Sequence, residues 1–271
     1  MKKIQIIILA GLILLAAVPA LAKKGTLTCS GSTTVLPIAQ ATAEAFMDKH
    51  PDVNISIRGG GSGVGIAALM NKTVQIASSS RPMKSKEITQ AKSKGVNPVG
   101  YAVALDGIAI VVHPSNGVKN LSIAQIRDIY TGKIKNWSEV GGPKQPIVVI
   151  SRDVASGTFE VFNEKALSGK KVASSAQLLA SNNAVASLVG STPGGIGYIG
   201  LGYVTQSVRV VPVEGVMPSA KTVKDSSYKL ARKLYMFTNG KASGDAASYI
   251  AFIQSDAGQK IVEAQGFISI K

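Results

Sequence analysis

The sequence predicts an α/β protein of two lobes, each a mainly parallel sheet flanked by helices, and three observations carry that reading. Runs with strand periodicity alternate with runs of helical spacing along most of the chain. The alternation is interrupted at 99–113 by an extended run too long for one ordinary strand, after which a second alternating series begins. Apolar residues make up 45 % of the chain and glycines are scattered through it, a composition of packed rather than disordered protein.

The elements follow in order. TLTCS (26–30) predicts a strand, and VLPIAQATAEAFMDKH (35–50) has the apolar spacing of a helix. VNISIRG (53–59) alternates as a strand, GVGIAALMNK (63–72) predicts a short helix, VQIASSS (74–80) a strand, and KSKEITQAKSKG (84–95) a helix. This βαβαβα series favours parallel pairing. The run 99–113, with Asp106-Gly107 near its middle, is expected to be two extended pieces crossing between lobes. Beyond it lie helices at 122–132, 156–167 and 183–190 with a strand at 146–151, then a strand at 228–238 and two helices at 245–255 and 257–266. The expected lobes are 23–105 with 206–271, and 106–205.

At the start, MKK supplies a positive region, IQIIILAGLILLAAV an apolar core and PALA a small-residue cleavage site, so residues 1–22 are expected to be a signal peptide cut after Ala22. Removing its two lysines takes the net charge from +15 to +13. That excess is spread as single lysines or pairs, and aromatic residues are only 5 %, so no nucleic-acid stacking platform is expected. With Cys29 alone, no internal disulfide forms and burial has to hold the fold.

Three strand-to-helix junctions share one chemistry: GSTT (31–34), GGGSG (59–63), and RDVASGT (152–158). The first N–H groups of a helix lack internal partners and carry partial positive charge. Glycine allows close backbone approach and hydroxyls add donors, so such an end suits an oxyanion. Each junction alone is equally a cap on its own helix. In parallel sheets, however, all three fall at the carboxyl ends of strands, where ligands bind. Arg152 is the expected countercharge, its planar fork suited to two oxygens of a tetrahedral anion; a surface pairing with Asp153 or Glu160 is the alternative.

GSTTVLPIAQ (31–40), GGGSGVGIAAL (59–69), IASSSRPM (76–83), SRDVASGTFEVF (151–162) and STPGGIGYIGLGYV (191–204) together resemble the phosphate-binding proteins of bacterial phosphate ABC importers, as do 129–142 and 228–237. The resemblance implies a two-lobed periplasmic-binding-protein fold (type II) that shuts on one phosphate, with no catalysis and no cofactor. It implies ligand contacts from Thr33 and Thr34, from Ser62, and from Arg152, Ser156, Gly157 and Thr158, with Ser32 as a neighbour. It further implies a monomer in the periplasm that delivers phosphate to a permease and ATPase complex at the inner membrane. Some members of that family carry an aspartate where this chain has Ser80, which accepts a proton from phosphate and helps to reject sulfate. Ser80 accepts more weakly, so another tetrahedral oxyanion such as sulfate or tungstate is the alternative ligand; Asp153 and Asp106 are candidates for the missing acceptor.

Other chemistries find little support. A hydrolase needs a base, and the two histidines, His50 and His113, each precede a proline outside any catalytic motif; an exported phosphate-ester hydrolase is therefore the weaker alternative. The match of 63–68 to a dinucleotide fingerprint lacks a suitably placed acid, Glu87 lying in a polar helix. Paired histidines and clustered carboxylates for a metal are missing from the sequence.

Overall fold

The computed structural model describes residues 25–271. The expected signal peptide, 1–22, lies outside the described residues.

The first half is built as the alternation predicts. β1 (Thr26–Gly31), α1 (Leu36–Lys49), β2 (Asn54–Arg58), α2 (Ser62–Met70), β3 (Ile76–Ser79) and α3 (Ser85–Ser93) follow in order. Pro37 sits in the first turn of α1, where its missing N–H costs nothing, and the helix buries a stripe of Ile38, Ala39, Thr42, Ala43 and Phe46. β1 pairs in parallel with both β2 and β3.

The run at 98–112 corrects the sequence reading. It is one 15-residue strand, β4 (Pro98–Val112), not two pieces. Gly107 takes no left-handed turn, and the pairing of this long ribbon with β9 shifts register between Ala102 and Ala104. Beyond it come α4 (Ile123–Tyr130), β5 (Val148–Arg152), α5 (Gly157–Phe162), β6 (Gln177–Leu179), α6 (Asn182–Ser191), β7 (Gly195–Gly200), β8 (Arg209–Val211), α7 (Ala220–Lys224), β9 (Ala231–Asn239), α8 (Gly244–Gln254) and α9 (Asp256–Ala264). β6, β7 and β8 were not foreseen as strands. The strands join in the order β2-β1-β3-β9-β4-β7-β5-β6, with β8 also on β4.

The sheet is parallel at its two wings and antiparallel in the middle, where β9 and β4 run between the halves. Residues 98–107 of β4 pair with β9, whereas 108–112 pair with β7 and β8. Alternation along β4 divides the second half's core: Ile108, Ile110 and Val112 face a cluster around Tyr130, Trp137, Phe162 and Tyr198, while Ala109 and Val111 face one around Ile150, Val185 and Val189. The first half packs α1, α8 and α9 around Phe46, Met236 and Tyr249, with α2 and Phe237 on the other face. Cys29 is buried in β1, and desolvation pushes its thiol up to about 12. No helix among the described residues is long and apolar enough to cross a membrane.

Candidate functional site

The three junctions converge. Parallel pairing sends β1 and β3 toward the same edge, and β5 delivers its own carboxyl end opposite them. Thr33, Thr34, Ser62, Ser80, Arg152, Ser156, Gly157 and Thr158 are all buried there. Contacts join the halves directly: Thr34 Oγ1 lies 2.9 Å from Thr158 Oγ1, and the Gly63 N–H donates to the Ala155 carbonyl at 3.0 Å.

Arg152, at the end of β5, is 1 % exposed and forms no ion pair among the described residues. Its Nε donates to the Leu179 carbonyl at 3.0 Å, and its Nη2 to the Ala180 carbonyl at 2.8 Å and to Thr33 Oγ1 at 3.1 Å. Its Nη1 is buried and has no hydrogen-bond partner among the described residues. The side chain is thus held by two carbonyls with one donor edge left open. Burial pulls its pKa below the ordinary arginine value, the response of a cation in want of an anion. The alternative pairings do not form: Glu160 is engaged by Arg81 and Lys84, and Asp153 accepts from the Ala155 N–H at 2.9 Å.

Gly157 shows why the third junction needs glycine. A Cβ there would stand 2.3 Å from Ser62 Oγ and 2.7 Å from Ser80 Oγ. Ser62 Oγ accepts from the Ser80 N–H at 3.0 Å and lies 3.3 Å from Ser80 Oγ. Ser156 caps α5 by accepting from the Phe159 N–H at 3.2 Å, which leaves its own proton to donate.

The structure separates two of the weaker candidates from the cluster. Ser32 turns inward and accepts from the N–H groups of Thr34 and Val35, serving as a cap. Asp153 is half-buried and fixes its own turn.

Sequence reasoning named Asp106 only as a candidate acceptor for the ligand, and it missed two groups that complete the cluster, Arg232 and Asn182. Asp106 and Arg232 are register partners across β4 and β9, joined at 2.7 and 2.9 Å and almost wholly buried. Asp106 is therefore spoken for by Arg232 and by the Leu201 N–H at 2.9 Å. Burial pushes its carboxyl above the ordinary range, while the Arg232 charge and these hydrogen bonds pull it back. Arg232 also reaches Thr158 Oγ1 at 3.0 Å and Thr34 Oγ1 at 3.3 Å. Asn182, the first residue of α6, donates through Nδ2 to Thr33 and Thr34. The signal for Arg232 was present: it is in phase with Leu234 and Met236, so a charged residue occupies the buried face of β9. For Asn182 the sequence offers nothing beyond an ordinary helix start.

The histidines stand apart from this chemistry. His50 stacks on Phe46, and His113 Nδ1 lies 2.7 Å from Ser115 Oγ in its turn. No group of three or more His, Cys, Asp or Glu side chains suited to a metal occurs among the described residues.

A sheet in two halves, closed over a buried hydroxyl cluster with one unsatisfied guanidinium edge, has the build of a solute-binding protein, and a family profile described as "PBP superfamily domain" matches residues 17–257. The phosphate-binding protein PstS of Bacillus subtilis is 38 % identical over 248 residues, covering 91 % of this chain and 81 % of the relative, and PstS of Borreliella burgdorferi is 33 % identical, covering 89 % and 88 %. Among solved structures, a protein of Clostridium perfringens assigned as a phosphate ABC transporter substrate-binding protein, with bound phosphate, superposes with a TM-score of 0.84 at 39 % identity over 91 % of this chain and 100 % of the other. An ABC-type phosphate transport receptor of Vibrio cholerae gives 0.75 at 31 %, over 89 % and 99 %. The chain belongs to the PBP superfamily and, within it, to the family of these PstS proteins.

Proposed function

We propose that this protein captures inorganic phosphate between its two halves by hinge closure and delivers it to an ABC permease and its ATPase for import. One observation carries the reading most: the open Nη1 edge of buried Arg152, set among hydroxyls from three strand ends. Charge-assisted hydrogen bonds contribute about 1.5–3 kcal/mol each, so each one converging on the anion tightens binding by about tenfold or more. The ligand contacts are Thr33, Ser62, Ser80, Arg152, Ser156, Gly157 and Thr158, with Thr34 behind them.

Closure favours the bound form because the contacting groups come from both sides, so the anion gains contacts only in the shut state. We take the lobes as 23–105 with the chain's end, and 106 onward, with the crossing back at β9 rather than at 206. The packing of Val211, Val213, Val223 and Leu230 into the second half's core supports that later crossing. The protein acts as a monomer in the periplasm after loss of residues 1–22, and it is not an enzyme.

Sulfate is the second reading, favoured by a hydroxyl at Ser80 in place of a carboxylate. Titration calorimetry of residues 23–271 at neutral pH tests both. Phosphate is expected to bind at micromolar affinity or tighter and sulfate more weakly; equal affinities would overturn the phosphate assignment. Turnover of a generic phosphate ester that His113→Ala abolishes would overturn the non-enzymatic reading.

A further inference from the structure

A threonine hydroxyl has two lone pairs and one proton, so a hydroxyl that accepts twice has to donate elsewhere. Thr33 Oγ1 accepts from Arg152 Nη2 at 3.1 Å and Asn182 Nδ2 at 3.2 Å. Thr34 Oγ1 accepts from Asn182 Nδ2 at 3.0 Å and Arg232 Nη2 at 3.3 Å, which commits its own proton to Thr158 Oγ1 at 2.9 Å. Thr158 Oγ1 then accepts from Thr34 and from Arg232 Nη1 at 3.0 Å. Two protons remain, those of Thr33 and Thr158, and neither has an acceptor among the described residues.

The donors that impose this pattern are themselves held. Asn182 Oδ1 accepts from the Gly200 N–H at 3.2 Å, which fixes which end of the amide faces the threonines. Arg232 is clamped by Asp106, and Asp106 by the Leu201 N–H. Asn182 and Asp106 are both 0 % exposed, so water does not compete for either role.

We propose that Asn182 and the Arg232–Asp106 pair are positioning residues that fix the Thr33 and Thr158 protons toward the ligand, with Thr34 as a relay that spends its hydroxyl proton within the protein. This side of the site then offers donors alone, and a protonated ligand oxygen meets no acceptor there. Acceptor capacity is left to the Ser62–Ser80 pair, where one hydroxyl can donate to the other and leave a lone pair free, and to the second lone pair of Ser156 Oγ. With donors in excess of acceptors, the site favours the less protonated anion, HPO4 dianion over H2PO4 monoanion. The inference rests on the phosphate reading for its pH arm only, because the wiring of the hydroxyls acts on any tetrahedral oxyanion.

The test is calorimetry on residues 23–271 with inorganic phosphate and, separately, sulfate, at about one pH unit either side of the second ionisation of a phosphate group. Arg152, Arg232, Asp106, Asp153, Tyr198 and Tyr203 are the charged and titratable groups facing or acting on the cluster. Their own titration would move sulfate as much as phosphate, so sulfate is the internal control. Wild type is expected to bind phosphate at least about fivefold more weakly on the acid side, with sulfate changed by under about twofold.

Asn182→Ala is expected to lose about tenfold in affinity for either anion. It should also flatten the phosphate pH ratio, because a Thr33 hydroxyl relieved of one donor can turn to accept. In a Thr33→Val/Thr34→Val background, the same change should cost under about twofold, since neither hydroxyl that Asn182 contacts is left to orient. Asn182→Asp keeps the shape and reverses the polarity, drawing the threonine protons to itself; a loss of at least about a hundredfold is expected. Thermal unfolding of each unliganded variant separates these effects from misfolding.

An unaltered pH ratio in Asn182→Ala, full additivity in the triple variant, or near-normal binding by Asn182→Asp would each overturn the proposal. Should wild type bind sulfate and not phosphate, the phosphate reading fails while the wiring is judged from the sulfate cycle. Binding of neither anion ends both.

Discussion

Substituting Arg152 by alanine removes a buried cation whose donor edge faces the cluster unpaired among the described residues. The ligand loses at least one charge-assisted hydrogen bond, about 1.5–3 kcal/mol, which is about a 10-fold to 150-fold weaker dissociation constant. Unliganded stability changes less than a buried arginine suggests, because two effects oppose. The Leu179 and Ala180 carbonyls lose their donor, at about 1–3 kcal/mol each, while an uncompensated buried charge is removed. Arg152→Lys separates charge from shape: one ammonium cannot hold both carbonyls and also reach the anion, so its affinity should fall between alanine and wild type. Calorimetry reads the affinity directly. The rise in melting temperature with added phosphate gives an independent value, since a ligand stabilises the fold by RT ln(1 + [L]/Kd). Alanine binding as wild type does would refute the assignment of Arg152 to the site, and lysine doing so would refute the role of the fork.

Gly157→Ala should lower phosphate affinity at least about tenfold while leaving unliganded melting nearly unchanged, because its Cβ obstructs Ser62 and Ser80 across the interface; small-angle scattering should show a protein that stays open with ligand added. Glu160 bridges the halves through Arg81 and Lys84, so Glu160→Gln should weaken closure by about 1 kcal/mol, read as a roughly fivefold faster release of phosphate in stopped flow. Burial pushes the Glu87 carboxyl up, but Arg81 and the Lys84 N–H outweigh it and hold its pKa below the ordinary value. Its contribution to stability is thus complete above about pH 4.3 and lost as pH falls through the depressed value, so Glu87→Gln should flatten acid unfolding there.

Most of the helices, and the strands β1, β2, β3, β5 and β9, were legible because each carries its own period within a short window. Parallel pairing of β1 with β2 and β3 places the first two hydroxyl-rich junctions side by side, whereas the third, after β5, meets them only through the antiparallel centre of β9, β4 and β7. β7 was not legible, since GIGYIG has little strand propensity. Its glycines answer to packing instead: a Cβ at Gly197 would meet Val185 and Val189 at 2.6 and 2.7 Å. β6 and β8 are three residues each, too short to show a period. Arg232 lies 126 residues from Asp106, and only the pairing of β4 with β9 makes them neighbours. Asn182 was hidden for another reason, because at a helix start its residue type is already accounted for by capping.

The single ribbon from Pro98 to Val112 gives this molecule a shared beam, and neither half owns it. Cutting the gene to express one half alone would strip a sheet of its neighbour and bare a row of unmet amides, an invitation to aggregate. The two halves are tied as folding partners even though the hydroxyl cluster lies between them.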